Sequence, residues 1–278
     1  MKIFLTTSHN QHNQVISLYK ELRENYVDLY KFIIVESGVE TFYDKKIKDN
    51  NDFILIKTNE NSFWAESNSS GLKYIYSTFL EINFDLIIMN CDVKLNSWIK
   101  LSNINSPTTF YSVLGNKVGR SGYDIQNFLT AKHLFPYLQC DIGNSKSCYV
   151  DIVPTRFIYI PRNILKKIWG QTPNYSKLPH YSSDYEFTYR IKKIIHDKWQ
   201  ISNETFIEED VSTTGDKVSY GKVVQRLSLL FKRRSVFNIK DRFWYALLIT
   251  KDENLVIRLS YILSSIIKLF LQLLKPKK

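Results

Sequence analysis

Residues 87–95 read IIMNCDVKL, an apolar run of strand length that ends on Asn90, Cys91 and Asp92. A strand in a sheet interior has no use for an acid where it leaves the core, whereas a metal ion or a phosphate-bearing ligand at the sheet's edge does. Comparable runs precede it at 2–5 (KIFL), 30–35 (YKFIIV) and 53–57 (FILIK), and the run itself begins at 85 (DLIIM). Unbroken apolar runs of this length suit strands covered on both faces. The segments between them have helical period: Val15, Leu18, Tyr19 and Leu22 share one face over 12–24, and Leu72, Ile75, Tyr76 and Phe79 share one face over 68–81.

This alternation predicts an α/β fold, a mostly parallel sheet flanked by helices. Residues 101–150 are polar and punctuated by glycine and proline, so their short β pieces have no readable order. Order returns at 156–170, RFIYIPRNILKKIWG, which predicts a strand at 156–160. A helix follows with Pro161 as its first residue, Ile164, Leu165 and Ile168 inward, and Gly170 as its stop. Beyond about 215 the chain turns basic and helical, which divides it into an α/β domain over 1–215 and a C-terminal region over 216–278.

With 278 residues, 44% of them hydrophobic, the chain can bury a large core, and disordered and disulfide-scaffold classes drop out. Cys91, Cys140 and Cys148 form no CxxC pair and no cluster with histidine, which argues against zinc and a disulfide framework and for a reducing compartment. The opening MKIFLTTSHN lacks a signal-peptide core, so the expected location is the cytosol. A net charge of +11 attracts phosphate in any form. Aromatic and basic residues do not interleave in one strip, so nucleic acid is not an expected partner. The longest apolar stretch, 255–274, is interrupted by Arg258 and Lys268, which disfavours a membrane span. Its stripe of Ile262, Ile266, Leu269 and Leu273, with the basic tail behind it, suits either a helix lying peripherally on the inner face of the cell membrane or one packed on protein.

In a parallel α/β sheet, ligands collect at the carboxyl ends of the strands. Those ends carry Thr6 to Asn10, Glu36 to Gly38, Thr58 to Glu66 and Asn90 to Asp92, although each segment alone also reads as an ordinary loop or helix cap. The segments FIIVESG, FWAESNSSGLKYIYS, DLIIMNCDV and LPHYSSDYEFTYRIKK, in this order, resemble the family-2 glycosyltransferases with the GT-A fold, of the bacterial surface-polysaccharide type. The resemblance covers about residues 1–215 and is strongest at 64–95 and 154–195.

It implies that Asn90-Cys91-Asp92 stands where the family has Asp-x-Asp or Asn-x-Asp, with Asp92 holding a divalent metal, Mn²⁺ or Mg²⁺, on a sugar-nucleotide diphosphate. Thr6, Glu36, Trp64, Asn68 and Asn90 would contact the donor nucleotide; Glu36 replaces the family's aspartate, and Asn68 reads equally as a helix cap. Asp184 matches the general base. His180 and Glu186 would border the acceptor, while Glu186 also suits an ion pair with Arg190 one turn on, and Ser183-x-x-Glu186 reads as a capping box. Arg233 and Arg234, and TTGDK before them, stand where relatives close over the diphosphate, though a plain basic surface explains them as well. The implied function is inverting transfer of a sugar from a nucleotide-diphosphate donor to a glycan or lipid-linked glycan acceptor in surface polysaccharide biosynthesis. Two other readings stay open: a catalytically weakened GT-A-like partner in a polysaccharide assembly complex, and a nucleic-acid-binding protein.

Overall fold

The computed structural model describes residues 1–26, 28–38, 43, 50–95, 104–114, 117–118, 147–209, 223–233 and 235–274. The elements run β1 (Lys2–Ser8), α1 (His12–Asn25), β2 (Tyr30–Glu36), β3 (Phe53–Lys57), α2 (Trp64–Thr78), β4 (Asp85–Asn90), β5 (Val93–Leu95), β6 (Thr108–Leu114), β7 (Lys117–Val118), β8 (Ser147–Val150) and β9 (Phe157–Ile160). They continue with α3 (Arg162–Lys167), α4 (Ser183–Ile195), β10 (Trp199–Glu209), α5 (Val223–Ser228), α6 (Ile239–Ile249) and α7 (Leu255–Leu274). The sheet order is β3-β2-β1-β4-β9-β6-β10-β5, with β7 beside β6 and β8 beside β10. Along that path only β9 and β5 run against the rest, so the sheet is mostly parallel, as the strand-helix alternation predicts.

The unbroken apolar runs are explained by two cores. Ile3, Leu5, Ile33, Val35, Leu86 and Ile88 face one layer, where Leu72, Ile75, Leu165 and Ile191 cover them. Phe4, Phe32, Ile34, Ile87 and Met89 face the other, under Val15, Leu18, Tyr19 and Leu22 of α1. Alternate residues of one strand thus serve opposite helix layers, and neither face is left for polar side chains. Gly71 lets α2 approach the sheet, since a Cβ there would lie 2.5 Å from a Leu5 methyl.

Several local expectations shift. Helix α2 begins at Trp64, not 68, because its early donor Ala65 N finds the Pro179 carbonyl at 3.2 Å and the first turn is satisfied from outside. Asn68 therefore lies inside the helix, its Nδ2 donating to the Trp64 carbonyl, and is no cap. Pro161 is the residue before α3, with ψ 153°, and α3 ends at Lys167, ahead of Gly170 at φ +82°. The capping box at α4 does not form. Ser182, in the left-handed region, precedes the helix, the Ser183 hydroxyl is buried without a partner, and Glu186 bonds to Arg190 instead. Cys148 is disulfide-bonded, a pairing the cysteine spacing does not show, while the Cys91 thiol is free.

The C-terminal helices are packed onto the α/β layers. Tyr245, Ala246, Ile249 and Tyr261 form one apolar cluster with Ile152, Leu178 and Tyr189, and Lys193 pairs with Asp252 at 2.6 Å. The boundary expected near 215 lies outside the described residues.

Candidate functional site

Strand order reverses between β1 and β4: β2 and β3 lie on one side of β1, and the crossover through α2 returns β4 to the other. Such a switch opens a crevice at the carboxyl ends of the strands. A cavity of about 400 Å³ occupies it, lined by Thr7, Ser8, His9 and Gln11 from the end of β1, Ser37 after β2, Ser62 to Trp64 and Ser67 at the start of α2, Asn90 to Asp92 after β4, and His180. Its size suits a small-molecule ligand. Pro179 reaches the site because its carbonyl accepts from Ala65 N, which brings His180 to the Phe63 ring at 5.6 Å.

Of the residues expected from sequence, Trp64, Asn90, Asp92 and His180 meet on this cavity. Thr6, Glu36 and Asn68 stand behind its wall, at 0%, 1% and 1% exposure. The Glu36 carboxylate accepts from Asn10 N at 3.0 Å, Gly38 N at 2.7 Å and the Tyr43 hydroxyl at 3.1 Å. It therefore fixes the loop after β1, where Asn10 adopts φ 58°, rather than facing a ligand. Gln11 and Ser67 line the cavity although their sequence positions carry no site signal. The Ser62 and Ser67 hydroxyls are buried and have no hydrogen-bond partner, which leaves polar atoms on the cavity wall for a ligand to satisfy.

Cys91 turns inward and donates to Gln11 Oε1 at 3.4 Å. Burial, then the charges of Asp92 and Glu36, push its thiol up to about 12, so it supplies no thiolate near neutral pH. Among the described residues no group of three His, Cys, Asp or Glu side chains could hold a metal. Asp92 and Asn90 offer one carboxylate and one amide oxygen. That donor set fits a hard cation sharing its remaining positions with water and phosphate oxygens, not an all-protein cage.

Asp184 occupies the first turn of α4. Burial raises its carboxyl to about 6, opposed by backbone N–H groups of Tyr185, Asp184 and Thr155 and by the Arg156 charge. The Arg156 carbonyl in turn accepts from Asn90 N at 2.9 Å. One short backbone segment, 155–156, thus links Asp184 to the end of β4, although Asp184 is not part of the cavity lining. Glu186 is 5% exposed and held by both Arg190 Nε (2.8 Å) and Nη2 (3.1 Å). Arg190 also binds Gln171 Oε1 and the Thr172 carbonyl, so this ion pair fixes the segment that crosses α2. The Arg233 guanidinium lies over the Phe63 ring at 4.3 Å, at the cavity wall. Arg234 and the TTGDK segment lie outside the described residues.

No protein-family model and no curated protein matches the chain. Solved structures do. S. aureus TarS in complex with UDP-GlcNAc aligns at TM-score 0.54 and 11% identity over 98% of this chain and 90% of that one. The mannosyltransferase PcManGT from Pyrobaculum calidifontis, in complex with GDP-Man and Mn²⁺, aligns at 0.53 and 12% over 96% and 69%. GalNAc-T7 with UDP, GalNAc and Mn²⁺ aligns at 0.54 and 10% over 75% of this chain, which spans 43% of that longer one. The chain has the GT-A fold.

Proposed function

We propose that the protein is a nucleotide-sugar-dependent glycosyltransferase that transfers with inversion to a glycan or lipid-linked glycan acceptor in surface polysaccharide biosynthesis. The observation that carries this reading is the convergence of Asp92, Asn90, Trp64 and the unpartnered Ser62 and Ser67 hydroxyls on one cavity at the β1/β4 switch. The likeness to structures holding UDP-GlcNAc, GDP-Man and Mn²⁺ supports it.

Trp64 and the serine hydroxyls bind and orient the nucleotide, and Asp92 with Asn90 marks the diphosphate end. Asp92 and Asn90 would hold a divalent cation there, which would supply positive charge to the departing diphosphate. Asp184 takes the proton of the acceptor hydroxyl, whose oxygen attacks the anomeric carbon from the face opposite the diphosphate. A carboxyl at about 6 is ionised at neutral pH yet basic enough for that step. Thr6, Glu36 and Asn68 act through the wall they build, and Glu186 through Arg190.

The test is transfer or hydrolysis with a panel of UDP-, GDP- and dTDP-sugars, with and without Mn²⁺. Activity with at least one donor is expected; no binding and no turnover with any would remove the reading. The single acid in Asn90-Cys91-Asp92 favours one second reading, a GT-A protein that binds donor but has lost turnover and serves an assembly complex. Donor binding without transfer to any acceptor or to water identifies that case.

A further inference from the structure

Helix α7 has two apolar faces. Tyr261, Ser265, Leu269 and Leu273 are buried, the last two with Leu230 and Tyr261 with Tyr245 and Ile249. On the opposite side Leu255, Leu259, Leu263, Ile267, Leu271 and Leu274 are 48–67% exposed and recur every three or four residues along the whole helix. This face is about 30 Å long. Six half-exposed side chains of that size amount to on the order of 500 Å² of apolar surface, at the upper end for a monomer. The two charges of α7, Arg258 and Lys268, fall outside the exposed arc at 100° per residue, and both are half-buried.

We infer that this face is a docking surface for an anionic lipid bilayer, with α7 lying in the headgroup plane. The charge distribution selects that occupant. Residues 216–278 hold fourteen Lys and Arg against four Asp and Glu, whereas residues 1–215 hold twenty-four against twenty-three, so the C-terminal region carries nearly all of the +11. Lys232, Arg233, Lys240 and Lys251 are exposed, and Phe231 beside them is 78% exposed. An apolar face within a cationic region matches a surface of acyl chains and anionic headgroups. A second copy would bring two strongly positive regions together. A membrane span would pull the buried stripe from its packing and place Arg258 and Lys268 in hydrocarbon.

The surface is coupled to the cavity. Leu230 packs on Leu269 and Leu273, and three residues later Arg233 covers Phe63 on the cavity wall. Docking α7 therefore carries the cavity to the lipid surface, where a lipid-linked acceptor would be presented. Membrane docking itself does not depend on the transferase reading.

The test is co-sedimentation of the full chain with vesicles of phosphatidylcholine alone and with about 30% phosphatidylglycerol. Pelleting with the anionic vesicles only, weakened at least tenfold by about 0.5 M salt, is expected. The double variant L263E/I267E should lose at least tenfold in vesicle binding with its circular dichroism and thermal midpoint unchanged. L255S/L259S serves the same purpose should the first variant fold poorly. Four outcomes overturn the inference: no pelleting with either vesicle, equal binding by folded variants, association that survives salt and alkaline wash as a span would, or a dimer that the variants dissolve. Donor titration of the same variants separates the two readings. Lost vesicle binding with intact donor binding is expected of them, and a chain that binds vesicles but no donor overturns only the transferase reading.

Discussion

The acids at the ends of β2 and β4 are used in opposite ways. Glu36 is buried under three donors and never reaches the cavity, while Asp92 is half-buried on its lining. Both are carboxylates where a parallel strand leaves the core, so position alone does not mark a ligand. What separates them is where they stand: Glu36 lies behind the wall, taken up by Asn10 N, Gly38 N and the Tyr43 hydroxyl, and belongs to the frame, whereas Asp92 lies on the cavity lining, where a ligand can reach it.

Substitutions break this comparison in order of size. The largest effect belongs to Asp184→Asn, where loss of the base lowers turnover by about 10³-fold while donor binding persists. Stability moves the other way. A carboxyl raised from 3.8 to about 6 holds its proton more tightly when folded, so the native state loses stability as pH rises from about 4 to about 6. The variant should therefore melt higher than the parent at pH 7.5, and the parent's rate should fall as pH drops through about 6. Asp92→Asn comes next, lowering turnover by about 10²-fold and shifting the thermal midpoint little, as a half-exposed change should. Glu36→Ala inverts that pattern: three donors lose a buried partner, and a denaturant titration should show a loss of about 3 kcal/mol. Ser67→Ala is smallest, weakening donor binding less than tenfold and leaving stability unchanged, because the hydroxyl it removes has no partner in the fold.

The first four strands were legible because β1, β2, β3 and β4 serve two cores and are apolar on both faces. That Asp92 and Trp64 lie on the cavity was legible from the polar segments after the strands, whereas His180 was named only through the family resemblance. Glu36 was not, since no sequence pattern shows that Asn10 N, Gly38 N and the Tyr43 hydroxyl converge on it. Asn68 was misplaced because α2 takes its first-turn partner from Pro179, a contact made 114 residues away. The packed face of α7 was only partly readable. Leu269 and Leu273 are buried, but Tyr261 and Ser265 complete the inner stripe in place of Ile262 and Ile266, which lie at its edge. A helix apolar on nearly every side gives periodicity no phase to report.

The most direct measurement is a calorimetric titration of UDP- and GDP-sugars, with Mn²⁺ present, into the parent protein and Asp92→Asn. If the cavity at the β1/β4 switch is the donor site, one sugar nucleotide binds the parent with a stoichiometry of one and binds the variant at least tenfold more weakly. Absence of binding by every donor, or equal binding by both proteins, would contradict it.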